Sequence, residues 1–136
     1  MPRYLLDTNI CIYIQKQKPL SVLERFKIIE PGGAVMSAIT WGELIFGAQK
    51  SVKRVQVVEQ LEEFRTFVPV VPLQQSSGSE YGRLRAQLQT RGLLIGPNDL
   101  WIAAHALAED LTLVTNNERE FARVAGLKVE NWAEKS

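Results

Sequence analysis

The chain has one cysteine, Cys11, and one histidine, His105, among its 136 residues. A lone cysteine excludes an internal disulfide and suits a reducing compartment. With a single residue of each type, no Cys/His zinc cage can form. There is no run of about 18 apolar residues to cross a bilayer, and no basic start leading into an apolar signal core. A cytoplasmic location with no membrane partner is therefore expected. Charge is also undistinguished, with 16 Lys and Arg against 15 Asp and Glu, a net +1. Basic residues do gather locally, at Lys16 and Lys18, at Lys50, Lys53 and Arg54, at Arg83, Arg85 and Arg91, and at Arg119 and Arg123. Such groups serve a nucleic acid only where they line one groove, and are otherwise solvated faces.

What is present is the composition of a globular chain, 46% hydrophobic and 23% charged, with length for one domain over residues 1–136. Short apolar runs at 3–6, 34–37, 67–71, 111–115 and 127–131 read as strands. Helical periods lie between them, at 9–17, 20–29, 38–49, 52–66, 73–91 and 98–109, with a short turn near 117–123. The punctuation is clear at "EPGG" (30–33) and "GP" (96–97). Alternating strands and helices predict an α/β fold: a mainly parallel sheet of four to five strands, covered by helices on both faces. Such sheets bind ligands at the carboxyl ends of their strands.

Carboxylates stand at unusual places in this pattern. Asp7 ends the first strand in "YLLDTNI" (4–10), where it reads either as a cap for the next helix or as a metal ligand. Glu43 is the only charge on the helix face shared by Ile39, Phe46 and Gly47, opposite the apolar face of Trp41, Leu44, Ile45 and Ala48. A capping box from Thr40 would explain it, although Ser37 is an equally good and earlier cap. Asp99 opens the helix of "GPNDLWIAAHALAED" (96–110), with Ile102, Ala103 and Ala106 following on its face. Small alanines there would let the helix lie close to the sheet and point Asp99 over the strand ends. Either Asn98 or Asp99 could cap, which leaves the other free. The turn "TNNEREF" (115–121) adds Thr115, Asn116, Asn117 and Glu120 beyond another strand end. Several close carboxylates cannot all ionise without a compensating charge, and a hard divalent cation such as Mg²⁺ supplies it through carboxylates, waters and phosphate oxygens. His105, six residues beyond Asp99, falls off that face and is expected to be a packed helix residue.

In these motifs the chain resembles the VapC-type PIN-domain ribonucleases, the toxic half of bacterial type II toxin–antitoxin pairs. "LLDTNI", "SAITWGELIFGAQKS", "GPNDLWIAAHA" and "LVTNNEREFARVAGLKVENW" match that family's successive motifs in order. The resemblance implies a PIN-like domain whose acidic core of Asp7, Glu43 and Asp99 holds Mg²⁺, with Mn²⁺ as a substitute. Glu120 fits the family's fourth acidic position, and Asn117 stands where some members carry an aspartate. Thr8, Asn9, Thr115 and Asn117 would orient the carboxylates by hydrogen bonds. The implied activity is endoribonuclease cleavage by metal-activated water, with transfer RNA as a plausible substrate and Arg83, Arg85 and Arg91 as candidate RNA contacts. The resemblance further implies a homodimer and a cognate antitoxin that occludes the groove, with Trp41, Ile45 and Phe46 as contact candidates. DNA binding in such pairs belongs to the antitoxin, so no direct DNA binding is expected of this chain.

Three rivals remain at this level. A phosphoacceptor signalling domain would need an aspartate at the central strand end, where "VPVVPLQQ" (68–75) has none, and a late strand-end lysine. An aspartate-nucleophile phosphatase would want an Asp two residues after Asp7, where Asn9 stands. A catalytically inactive interaction domain is opposed by the retention of all three acids.

Overall fold

The computed structural model describes residues 1–133, so the last three positions of the domain expected over 1–136 lie outside the described residues. Five strands form, β1 (Tyr4–Leu6), β2 (Ala34–Ser37), β3 (Val70–Val71), β4 (Thr112–Val114) and β5 (Val129–Glu130). They make one sheet in the order β3-β2-β1-β4-β5, and every pair is parallel. The connecting helices are α1 (Thr8–Lys16), α2 (Leu20–Lys27), α3 (Ala38–Gln49), α4 (Arg54–Phe64), α5 (Gln75–Thr90), α6 (Pro97–Ala108) and the short α7 (Glu118–Phe121). The expected α/β architecture is present in full.

Two differences from the sequence reading have local causes. The strand expected at 67–71 shrinks to two residues because Phe67 and Val68 still bond back to the Phe64 carbonyl, at 2.9 and 3.1 Å, closing the turn after α4. β3 is also the edge of the sheet, not its centre; the central strand is β1.

The chain steps outward from β1 to β2 to β3, then returns past β1 to β4 and β5. That return puts α1 to α4 on one face of the sheet and α5 to α7 on the other. Strand side chains alternate between the two resulting cores. Tyr4, Leu6 and Met36 pack with Ile10, Leu44 and Phe64, whereas Leu5, Val35 and Leu113 pack with Leu84, Leu100 and Ile102. Because both faces are covered, the inner strands β1, β2 and β4 carry apolar residues at nearly every position. Each fully buried Leu or Ile contributes about 1.5–3 kcal/mol of transfer free energy.

The α5–α6 hairpin sets the height of Asp99. α5 stops where Gly92 adopts φ +67°, a left-handed value that favours glycine, and Leu93 N–H donates to the Leu88 carbonyl at 2.8 Å. Pro97 then occupies the first turn of α6, where its missing N–H costs nothing. Ala103, Ala104 and Ala106 are fully buried, so α6 lies close against its neighbours. The reversal of strand order falls between β1 and β4, where an open α/β sheet has its ligand crevice.

Candidate active site

Asp7 follows β1 directly, and its two readings are both realised. Its side chain caps α1 by accepting from Ile10 N–H at 3.0 Å, while its backbone N–H is fixed to the Val114 carbonyl at 3.0 Å. The carboxylate is buried, and Thr115 from the end of β4 donates to it. Burial raises its pKa to about 6, with a further push from the Glu43 charge, against hydrogen bonds from Thr115, Ile10 and Asn9.

Glu43 is held from both sides. Ser37, not Thr40, caps α3 by accepting from Ile39 N–H at 3.1 Å, so Thr40 is buried inside the helix and no capping box forms. Thr8 Oγ1 donates to Glu43 Oε1 at 2.5 Å, and Asn98 Nδ2 donates to Oε2 at 3.3 Å. The residue after Asp7 and the residue before Asp99 thus both grip the same carboxylate.

Neither Asn98 nor Asp99 caps α6, since Gly96 occupies that position. Asp99 is half-buried, and its pKa is raised to about 7. Burial is the largest cause, followed by the charge of Glu120 and a hydrogen bond to it, then by the charges of Glu43 and Asp7. Glu120 Oε1 accepts from Gly96 N–H at 3.2 Å, and its other oxygen accepts from Asn117 Nδ2. Asn117 N–H in turn donates to Thr115 Oγ1 at 3.0 Å. The fold therefore sets Asp99 within electrostatic reach of Glu120, Glu43 and Asp7, and Asp7 within reach of Glu43, with Thr8, Thr115 and Asn117 as hydrogen-bond partners.

Asn9 is exposed, and its side chain donates to Asn116 at 3.4 Å, so only its backbone N–H serves Asp7. Arg83, Arg85 and Arg91 are exposed on or just beyond α5. Arg83 pairs with Glu80 and Arg85 donates to the Tyr81 hydroxyl, so neither meets the carboxylates. Of the partner-contact candidates, Trp41 and Ile45 are half-buried against the core and Phe46 projects, at 63% exposure. A groove of about 650 Å³ beside Glu43 is lined by Thr8, Gly42, Phe46, Lys50 and Asn98 among others. The clamping role of Asn98 and the basic wall at Lys50 were missed in the sequence, although the spare polar residue beside Asp99 was a usable signal.

Among the described residues, no Lys or Arg makes an ion pair with any of the four carboxylates, and no three acidic, His or Cys side chains stand close enough together to hold a metal ion among them. Hard oxygen donors and uncompensated negative charge fit Mg²⁺, which keeps several waters and needs only one or two protein carboxylates. Asp7 and Asp99, raised in pKa first by burial and then by neighbouring carboxylates, are the donors whose charge such an ion would offset most.

The PIN domain family matches residues 4–127. This chain belongs to the PIN-domain family. Ribonuclease VapC2 of Haemophilus influenzae is 43% identical over 132 residues, covering 97% of this chain and 99% of that protein. The tRNA(fMet)-specific endonuclease VapC of Shigella flexneri is 41% identical, covering 98% of this chain and 100% of that protein. Within the PIN family the chain thus stands with the VapC proteins. Two solved structures agree over the whole fold. VapBC from Salmonella typhimurium gives a TM-score of 0.91 at 38% identity, covering 97% of this chain and 99% of that one. VapBC2 from Rickettsia felis gives 0.87 at 39% identity, covering 95% and 98%.

Both of those structures are bound to DNA, the second to a promoter fragment. The expectation of no direct DNA binding is overturned by them. Its physical weakness is plain: a near-neutral single chain says nothing about the charge of the assembly it joins. Among the described residues no helix is long and apolar enough to cross a membrane.

Proposed function

We propose that this VapC-type PIN protein is a metal-dependent endoribonuclease, the toxin of a toxin–antitoxin pair, working in the cytoplasm on RNA. The observation that carries the proposal is the meeting of Asp7, Glu43, Asp99 and Glu120 at the carboxyl ends of β1 and β4, with two of them raised in pKa by burial and mutual repulsion. Asp7 and Asp99 would hold Mg²⁺ or Mn²⁺, with Glu43 beside them. Bound there, the ion supplies a water of lowered pKa and offsets charge on the phosphoryl oxygens.

The chain's own residues do the positioning. Thr8 and Asn98 fix the two oxygens of Glu43, so its carboxylate is preset to bind the ion or to orient the attacking water. Glu120 ties the start of α6 to the turn after β4 through Gly96 and Asn117, which holds Asp99 over the crevice. Lys50 and Phe46 border the groove, where a phosphate and a base would meet a cation and an aromatic face. Transfer RNA is the substrate class supported by the Shigella relative, and an antitoxin partner is supported by the VapBC assemblies.

The test is cleavage of total transfer RNA by protein stripped of any antitoxin, with Mg²⁺, with Mn²⁺ and with EDTA, alongside Asp99→Asn. Discrete fragments that require metal and vanish in the variant are expected. Cleavage that persists in EDTA, or in the folded variant, would remove the proposal.

A further inference from the structure

The only histidine is not merely packed. His105 lies on α6, six residues beyond Asp99, and is completely buried. Its Nδ1 stands 2.9 Å from Ser37 Oγ, across 68 positions of sequence. Its Nε2 makes no well-aligned hydrogen bond, yet Glu109 Oε2 is 2.6 Å away. A lone pair facing a carboxylate would be repelled, so Nε2 carries the proton and Nδ1 is left to accept from the Ser37 hydroxyl. Burial lowers the pKa of the ring against the opposing pull of Glu109, which keeps it neutral and preserves that tautomer. Ser37 is then fully used: its hydroxyl donates to His105 while its oxygen accepts from Ile39 N–H at the start of α3.

Ser37 ends β2 and caps the helix that carries Glu43, whereas His105 belongs to the helix that carries Asp99. We propose that the buried pair Ser37 and His105, with the more exposed Glu109 orienting the ring, forms a clamp that fixes α6 against the β2–α3 junction and so sets the separation of Glu43 and Asp99. The three are positioning residues; none touches the carboxylates. The inference rests on the reading of those carboxylates as the metal site. A merely apolar filler at 105 would pack α6, but it could not hold the register between the two helices, because apolar contact has no direction while the imidazole fixes one atom of β2. A misplacement of about 1 Å caused far from the chemistry can cost on the order of 100-fold in rate.

The experiment compares the parent with His105→Leu, His105→Asn and His105→Phe. The readouts are Mn²⁺ affinity of EDTA-stripped protein by calorimetry, kcat and KM on transfer RNA, and the melting temperature. Asparagine keeps a hydrogen-bonding group near the Nδ1 position and leucine does not. The expected result is a loss of about tenfold in Mn²⁺ affinity and in kcat for His105→Leu, with KM within about twofold and substantial recovery in His105→Asn. Folded His105→Leu with parental Mn²⁺ affinity and kcat overturns the clamp, as does a fall in melting temperature alone. If His105→Leu does not fold, His105→Phe decides by the same readouts. It keeps a ring of similar shape without the Nδ1 acceptor and leaves Ser37 capping α3, which Ser37→Ala would not. A parent that binds Mn²⁺ but cleaves no RNA sinks the ribonuclease reading, while a tenfold affinity loss in the variants would still support the clamp. A parent that binds no Mn²⁺ overturns both.

Discussion

At the scale of single residues, the site is a set of charges held where water cannot fully screen them. In the unfolded chain Asp7 and Asp99 ionise near 3.8, but in the fold at about 6 and about 7. Between these values the folded protein binds more protons than the unfolded one, so each residue's contribution to stability falls as pH rises, and is fully adverse above pH 7. His105, with its lowered pKa, acts in the opposite direction, so the informative quantity is a difference between variants. In EDTA, Asp99→Asn should melt above the parent at pH 8, with the gap narrowing as pH falls from about 7 towards 3.8, because only below 3.8 is the parental carboxyl protonated in both the folded and the unfolded chain. Added Mg²⁺ should raise the parent at pH 8 far more than the variant. A variant that melts below the parent at pH 8 in EDTA would show that Asp99 is a structural residue and not a repelled ligand.

At the scale of elements, function depends on how closely α6 approaches the sheet. Ala103 is one helical turn beyond Asp99 and has no exposed surface. Ala103→Leu would force extra methylenes into a filled core, costing about 1–3 kcal/mol, and would lift the start of α6 away from Glu43. Cleavage should fall more than the folded fraction does; equal loss in both would mean that the height of α6 is unimportant. Gly92→Ala tests the other end of the hairpin. A Cβ there meets no atom within 4 Å, so the left-handed φ of +67° is the whole penalty, about 1 kcal/mol by denaturant melts. These elements were legible in sequence because they obey local rules: apolar runs, helical periods, a Pro-marked start and a Gly-marked stop. Asp7, Glu43 and Asp99 were legible because each is a charge where the local pattern wants none. Their pairings were not. The family resemblance marks Thr8 as a hydrogen-bonding partner without Glu43 as its target, and the local pattern offers Asn98 only as a possible cap. Thr8 and Asn98 reach Glu43 across 35 and 55 positions, and no periodicity within one element encodes such a pairing. The choice between Ser37 and Thr40 as the cap of α3 also stayed open, since both satisfy the same local rule until the end of β2 is fixed.

At the scale of the whole molecule, the question is where a long polyanion can lie. A net charge of +1 gives no general attraction, so RNA must be drawn by local placement of cations around the crevice. Sequence pointed to Arg83, Arg85 and Arg91, but Arg83 is already paired on its own helix with Glu80. The groove that opens beside Glu43 is walled instead by Lys50, which lies 4.6 Å from the Phe46 ring centroid. Glu43, Phe46 and Lys50 follow one another at helical spacing along α3, so a strand whose phosphate reaches the carboxylates would pass the ring and then the ammonium. Lys50→Ala should therefore raise KM on transfer RNA with kcat nearly unchanged, and reduce the slope of log affinity against log salt by about one. Arg83→Ala should alter both far less, since it removes a charge already neutralised by its neighbour. The reverse ranking would move the RNA path from α3 to α5, and with it the face of the molecule that an inhibitor must cover.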